Sequence, residues 1–231
     1  MVVPSIIGTT MMTKTKIKLS RNTLSIMKNF SQINSNLLIK PGNVFKTKSP
    51  SNCVYAEAAV EEDFPVEVAI WDLGQFLNVV SLFNEPEFEF CDNYVTIQSN
   101  SSSVKYFYSA ASLLTVPTKS LKMPETKHEF LLTQTAFSEL SKAAAVLQVS
   151  DLVMKATDGV VSLTVSKKSD PSSNSFTVEV GQSDEDYEYS LDMSNLKLMP
   201  GDYTVALTDT VVSRFSHTSM SLNYFVAVEK N

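Results

Sequence analysis

His128, His217, Cys53 and Cys91 are the only histidines and cysteines of this 231-residue chain, and their spacing suits no reactive centre. A zinc site needs three or four such ligands at short intervals, and neither histidine lies at ligand-like spacing from either cysteine. A nucleophilic triad needs its hydroxyl or thiol presented on a sharp turn. His128 instead lies between Lys127 and Glu129, and His217 in a Ser/Thr-rich stretch. The six glycines form no phosphate-cradling loop. Asp184-Glu185-Asp186 lacks the glycine and terminal glutamate of a calcium loop and reads as a solvated acidic turn. Two cysteines without a secretory signal read as reduced thiols in a cytoplasmic protein. The expectation is a protein that is not an enzyme and needs no metal or cofactor.

The directed chemistry is cationic. Residues 1–56 hold eight basic side chains, Lys14, Lys16, Lys18, Arg21, Lys28, Lys40, Lys46 and Lys48, and no Asp or Glu. The rest of the chain holds 11 basic and 25 acidic residues, for a net charge of −6. Such segregation builds one surface for a polyanion and others that repel it. Few Arg, Asn or Gln lie where they could read base edges, and the aromatics alternate in strands as core residues do. The contact expected is therefore with duplex phosphates, independent of base sequence. It is concentrated on the first helix and the arm before it, with Lys119 and Lys122 as further candidates.

An element has to hold those cations. Ser20 caps a predicted helix over Ser20–Ile33. At roughly 100° per residue, Ile26, Met27, Phe30 and Ile33 form one stripe with Leu24 at its margin, and Arg21, Ser25, Lys28 and Gln32 fall opposite. A surface helix ordinarily mixes signs to gain i,i+4 pairs, so cations without acids suit an external anion. Further helices are predicted over Asp72–Phe83, Thr133–Leu147 and, briefly, Met193–Leu198. On the third, Phe137, Leu140, Ala144 and Leu147 form the buried stripe, and Lys142 lies opposite with Thr135, Ser138 and Glu139. Strands are predicted at Val66–Ile70, Tyr94–Ile97, Val160–Val165, Phe176–Val180 and Tyr203–Leu207. Pro41-Gly42-Asn43 and Thr157-Asp158-Gly159 read as hairpin turns.

The order repeats at an offset of about 115 residues. Helix Ser20–Ile33, strand Leu37–Lys40, a Gly turn and Val44-Phe45 are matched by Thr133–Leu147, Leu152–Lys155, a Gly turn and Val160-Val161. The expected class is α+β: two similar domains, each with two helices against an antiparallel sheet. The divisions are a disordered leader over 1–13, a first domain over 14–112, a connector over 113–126 and a second domain over 127–231. No run of about 18 apolar residues occurs, so no membrane partner is expected.

Several blocks resemble the sliding clamp of T4-like phages, a DNA polymerase processivity factor. In the first half they are Lys18-Leu19-Ser20, Lys28-Asn29-Phe30, Tyr55-Ala56-Glu57-Ala58 and Val68-Ala69-Ile70-Trp71-Asp72-Leu73 with Phe76-Leu77. In the second they are Leu147-Gln148-Val149, Asn195-Leu196-Lys197-Leu198-Met199-Pro200-Gly201-Asp202-Tyr203 and Asn223-Tyr224-Phe225-Val226. The resemblance runs from about Lys16 to Glu229 and is poorest over Val104–Phe130. It implies the DNA clamp fold assembled as a ring, a homotrimer around double-stranded DNA, with helices lining the hole. It implies as partners a DNA polymerase, an ATP-dependent clamp loader and transcription factors, in the cytoplasm of an infected host cell for a phage protein. ATP chemistry belongs to the loader. The family's DNA-facing basic positions fall on Lys18, Arg21, Lys28 and Lys142, and Ala145 stands where the family has a further base. By position, the last strand of the first domain pairs with Phe176–Val180 of a neighbour, which makes Val104, Tyr106, Tyr108, Phe176, Val178 and Val180 interface candidates. A hydrophobic pocket for partner peptides is expected at Leu114, Val116, Tyr224 and Val226. The alternative is a non-catalytic structural β-rich phage protein; its strand content fits, and the acid-free basic helix does not.

Overall fold

Each of three helices begins at a side chain that accepts a backbone N–H three residues ahead. Ser20 caps α1 (Arg21–Ser31), Asp72 caps α2 (Leu73–Val80) and Thr133 caps α3 (Gln134–Leu147). The computed structural model describes residues 16–170 and 172–230. The leader expected over 1–13, and Lys14, lie outside the described residues.

Around those helices, among the described residues, run seventeen strands. The first half holds β1 (Lys16–Lys18), β2 (Leu37–Ile39), β3 (Gly42–Lys48), β4 (Val54–Phe64), β5 (Val68–Ile70), β6 (Glu87–Phe90), β7 (Tyr94–Ser99) and β8 (Ser102–Phe107). The second holds β9 (Thr126–Leu132), β10 (Asp151–Thr157), β11 (Val160–Ser166), β12 (Phe176–Gln182), β13 (Tyr187–Asp192), β14 (Tyr203–Thr208), β15 (Val212–His217), β16 (Leu222–Ala227) and β17 (Glu229–Lys230). The order strand, helix, four strands, helical segment (α2 in the first half, a single 3-10 turn in the second), three strands runs twice, so the expected α+β fold with antiparallel sheets is what forms.

Two sequence expectations give way here. Met193–Leu198 yields only a 3-10 turn over Met193–Asn195, capped by Asp192; the chain must then straighten to enter Pro200-Gly201. Gly201 sits at φ +144° with His217 so close that a Cβ would lie 2.2 Å from its Nε2, which leaves no room for any other residue. Thr157-Asp158-Gly159 makes its hairpin, with Asp158 and Gly159 both at positive φ. Pro41-Gly42-Asn43 does not. There β2 pairs with β5, while β3 joins β4 through a ladder that slips between Gly42 and Val44.

The sheets do not divide at the middle of the chain. A six-stranded sheet runs β3-β4-β16-β15-β14-β9 and so draws on both halves. Flanking it are a four-stranded sheet, β1-β6-β7-β8, and a five-stranded one, β12-β11-β10-β13-β17. The α1 helix buries Ile26, Met27 and Phe30, each contributing about 1.5–3 kcal/mol. It packs on α2 and on β4, and α3 packs on β11 and β12.

Candidate nucleic-acid interface

Arg21, Ser25, Lys28 and Gln32 are all exposed, which is the face assigned from periodicity. The opposite stripe holds as well, with Leu24 half-buried at its edge. Lys18, Arg21 and Lys28 form no ion pair among the described residues. Lys16 departs from expectation. Its strand lies against β6, and its Nζ reaches Glu87 at 3.3 Å, so an acid distant in sequence neutralises part of the arm.

Two sets of tertiary hydrogen bonds, one made by Glu62 and one by Asn29 of the helix itself, hold α1 in place. Glu62 on β4 accepts the Ser20 N–H and the Thr23 hydroxyl, so an acid sits against the positive end of the helix. Asn29 donates through Nδ2 to the Lys197 carbonyl at 2.7 Å and accepts the Tyr224 hydroxyl at 2.8 Å. Neither residue was singled out by sequence. Asn29 had a signal, since it lies three residues after Ile26 and four before Ile33 and must share their buried stripe. Glu62 had none, because its reach to Ser20 is a tertiary contact.

Between α1 and α2 runs a groove of about 850 Å³. Leu24, Leu77, Val80 and Phe83 give it apolar walls, and Lys18, Arg21 and Lys28 line its rim. Lys142 is exposed on α3 with Thr135, Glu139 and Ala145. On that helix Leu140, Ala144 and, beyond expectation, Ala136 are buried, while Phe137 and Leu147 are half-buried.

Lys119 and Lys122 do not join this surface. Tyr224 pairs with Ala56 and touches α1 through Asn29, so α1 covers the Ala56 face of the sheet. Glu57 points the other way, and so does its cross-strand partner Lys46. Lys46 Nζ donates to Ser120 Oγ at 2.7 Å. The connector carrying Lys119 and Lys122 therefore lies on the face opposite α1.

That connector does border a groove of about 470 Å³, walled by Leu38, Val44, Val116 and Pro117 with Lys46 and Lys119 alongside. Val116 is thus where a pocket was expected, and Leu114 lies outside its lining. Tyr224 and Val226 are corrections. Strand alternation turns both into the core, where they are 0% and 1% exposed, and no peptide can reach them. The apolar wall beside Val116 is made instead by Leu38, Val44 and Pro117.

The interface candidates fall on two strands that end their sheets, β8 and β12, with Tyr108 one residue past the end of β8. Tyr106 packs edge-on against Phe76 with centroids 5.1 Å apart. Val104, Tyr108, Val178 and Val180 are half-buried, and Phe176 is exposed. Their side chains face inward or along the rim, and the free feature of each strand is its backbone edge.

With this geometry in place, comparison with known proteins is specific. A family model described as DNA polymerase processivity factor matches residues 18–115, and one described as gp45 sliding clamp, C terminal, matches residues 129–230. The sliding clamp of Vibrio phage KVP40 is 30% identical over 92% of this chain and 99% of its own length. That of Escherichia phage RB69 is 26% identical over 92% and 97%. Among solved structures, the PCNA of Thermococcus kodakaraensis superposes with a TM-score of 0.69 at 12% identity, covering 93% of this chain and 99% of that one.

Proposed function

Because this chain belongs to the sliding clamp family of DNA polymerase processivity factors, we propose that it encircles duplex DNA as a homotrimer and tethers the replicative polymerase to it. One observation carries the reading. A chain with a net charge of −6 presents Arg21 and Lys28 on the outer face of α1, a face that carries no Asp or Glu of its own, and neither forms an ion pair among the described residues. Free cations on one helix face of an acidic protein suit an external anion, and phosphates supply it without base reading.

The domain division is 14–112 and 127–231, joined by the connector 113–126; matches to one family model over 18–115 and to another over 129–230 support a division, the first running three residues into the connector. Three copies make six such units. The β8 edge of one copy takes the β12 edge of the next, a head-to-tail contact that closes if its rotation divides the circle. Unpaired edges invite this kind of strand addition. Lys18, Arg21 and Lys28 carry the DNA contact, with Lys142 as its thinner counterpart on α3.

The groove at Val116 takes short apolar peptides, the polymerase's C-terminal segment first and transcription factors by the same route. An ATP-dependent loader opens the ring; the clamp itself catalyses nothing and holds no cofactor. It works in the cytoplasm of the infected cell. The assembly is tested by native mass: a particle of three 25.5 kDa chains is expected, and a monomer at micromolar concentration overturns the ring.

A further inference from the structure

The groove between α1 and α2 holds more than a phosphate contact uses. Lys18, Arg21 and Lys28 stand along its rim, and Glu85, at φ +48° in the turn after α2, is the one acid in its lining. A duplex backbone needs those cations and nothing beneath them. Beneath them, however, lie the apolar walls Leu24, Leu77, Val80 and Phe83, around a volume of about 850 Å³, the size of a site that encloses a ligand. Leu82, between two residues of the lining, is 72% exposed. Apolar surface left open under a charged rim marks a place where another molecule binds.

One residue of α2 widens the groove. Gly74 lies one turn before Leu77 and borders the same space. A Cβ built there would meet only Asp72 Oδ1, at 3.3 Å, so the packing of α2 does not call for a glycine, and glycine weakens a helix. What its missing side chain leaves is room. The second half of the chain repeats neither feature: where the first half has α2, it has the 3-10 turn Met193–Asn195. The groove is therefore a property of the first half, one to each chain.

We propose that this groove takes an acidic amphipathic helix of a partner protein, and that such a helix and duplex DNA exclude each other. A helix of that kind sets apolar side chains three and four residues apart along one face. Those side chains fill the floor between Leu24 and Leu77, and carboxylates on the flanks reach Lys18, Arg21 and Lys28. Three bases against one acid in the lining select an acidic partner over a neutral or basic one. DNA and the helix share the rim, while only the helix uses the floor. A partner seated there covers the cations that face the duplex and holds the chain off DNA. The exclusion rests on the DNA-facing reading of α1 above; the peptide site rests on the groove alone.

The probe is a labelled peptide of about 15 residues, with leucines three and four apart on one face and glutamates on its flanks. Titrated with the full chain and followed by fluorescence anisotropy, it is expected to bind with Kd below about 100 μM, one peptide per chain. No binding at that concentration overturns the site. The same peptide is expected to bind Leu77→Gln and Gly74→Leu at least roughly tenfold more weakly. Gly74→Leu enters open space, so its urea midpoint should stay that of the parent chain. Equal affinity in both variants overturns the groove as the site. Short duplex DNA at low salt is expected to displace the peptide, and a bound peptide that duplex leaves in place overturns the exclusion. The DNA reading is judged separately, by duplex affinity of the chain without peptide. Tighter peptide binding by Ile6→Ser with Ile7→Ser would show the chain's own first residues competing for the groove, which overturns an outside partner as its occupant.

Discussion

The Tyr224 hydroxyl donates to Asn29 Oδ1 across 2.8 Å and ties the helix that carries Arg21 and Lys28 to a strand of the opposite half of the chain. The same hydroxyl accepts the Met199 N–H at 3.3 Å, and Tyr203 donates to the Met199 carbonyl at 2.8 Å. Helix α1, strand β16 and the segment before Gly201 are thereby fixed to one another. The basic face inherits its aim from this buried network.

Removing that one hydroxyl has a defined cost. Tyr224→Phe leaves Asn29 Oδ1 buried without its donor, so the chain is expected to lose about 1–3 kcal/mol of stability, read as a lower urea midpoint with an unchanged slope. Tyr224→Phe at full stability would show that the network does not hold α1.

Charge removal on the same helix acts differently. Lys18→Gln, Arg21→Gln and Lys28→Gln together are expected to change stability by less than about 0.5 kcal/mol per site. They are expected to flatten the dependence of log affinity for duplex DNA on log salt by up to about 3 units. An unchanged salt slope would remove α1 from the DNA contact.

Alkaline pH is expected to weaken the fold. Burial raises the phenols of Tyr203 and Tyr224 above the ordinary tyrosine range and pushes Tyr187 up to about 12. A phenol raised in the folded state contributes stability that is complete below its unfolded pKa, about 10, and lost as pH climbs through the folded value. The urea midpoint should therefore hold to about pH 10 and fall between about 10 and 12, less steeply in Tyr187→Phe. A midpoint that rises over that window contradicts the assignment.

The groove beside the connector is probed at Val116. Val116→Asp puts a carboxylate against Leu38 and Val44 and is expected to weaken binding of the polymerase's C-terminal peptide at least tenfold, about 1.4 kcal/mol. The DNA salt slope should not change, because groove and α1 lie on opposite faces of one sheet. Equal peptide affinity in the variant would move the docking site elsewhere.

Much of this was written in local pattern. Ser20, Asp72 and Thr133 announce three helices because a cap needs only its own next turn, and the basic face of α1 follows from period alone. Lys119 and Lys122 were not assignable, since a connector without period does not say which face of a sheet it crosses. The Lys16–Glu87 pair and the Glu62 cap join residues far apart in sequence. Tyr224 and Val226 were legible and misread: Leu222, Tyr224 and Val226 alternate along β16, which turns all three into the core. Pro41-Gly42 carries turn chemistry, but the strands it separates belong to different sheets.

Topology tests the central claim most directly. Loaded by its ATP-driven loader onto nicked circular duplex and passed through a sizing column, the protein is expected to travel with the circle and to be lost when the circle is cut once. Equal retention on circular and linear DNA, at the same salt, would mean that the chain binds the duplex without encircling it.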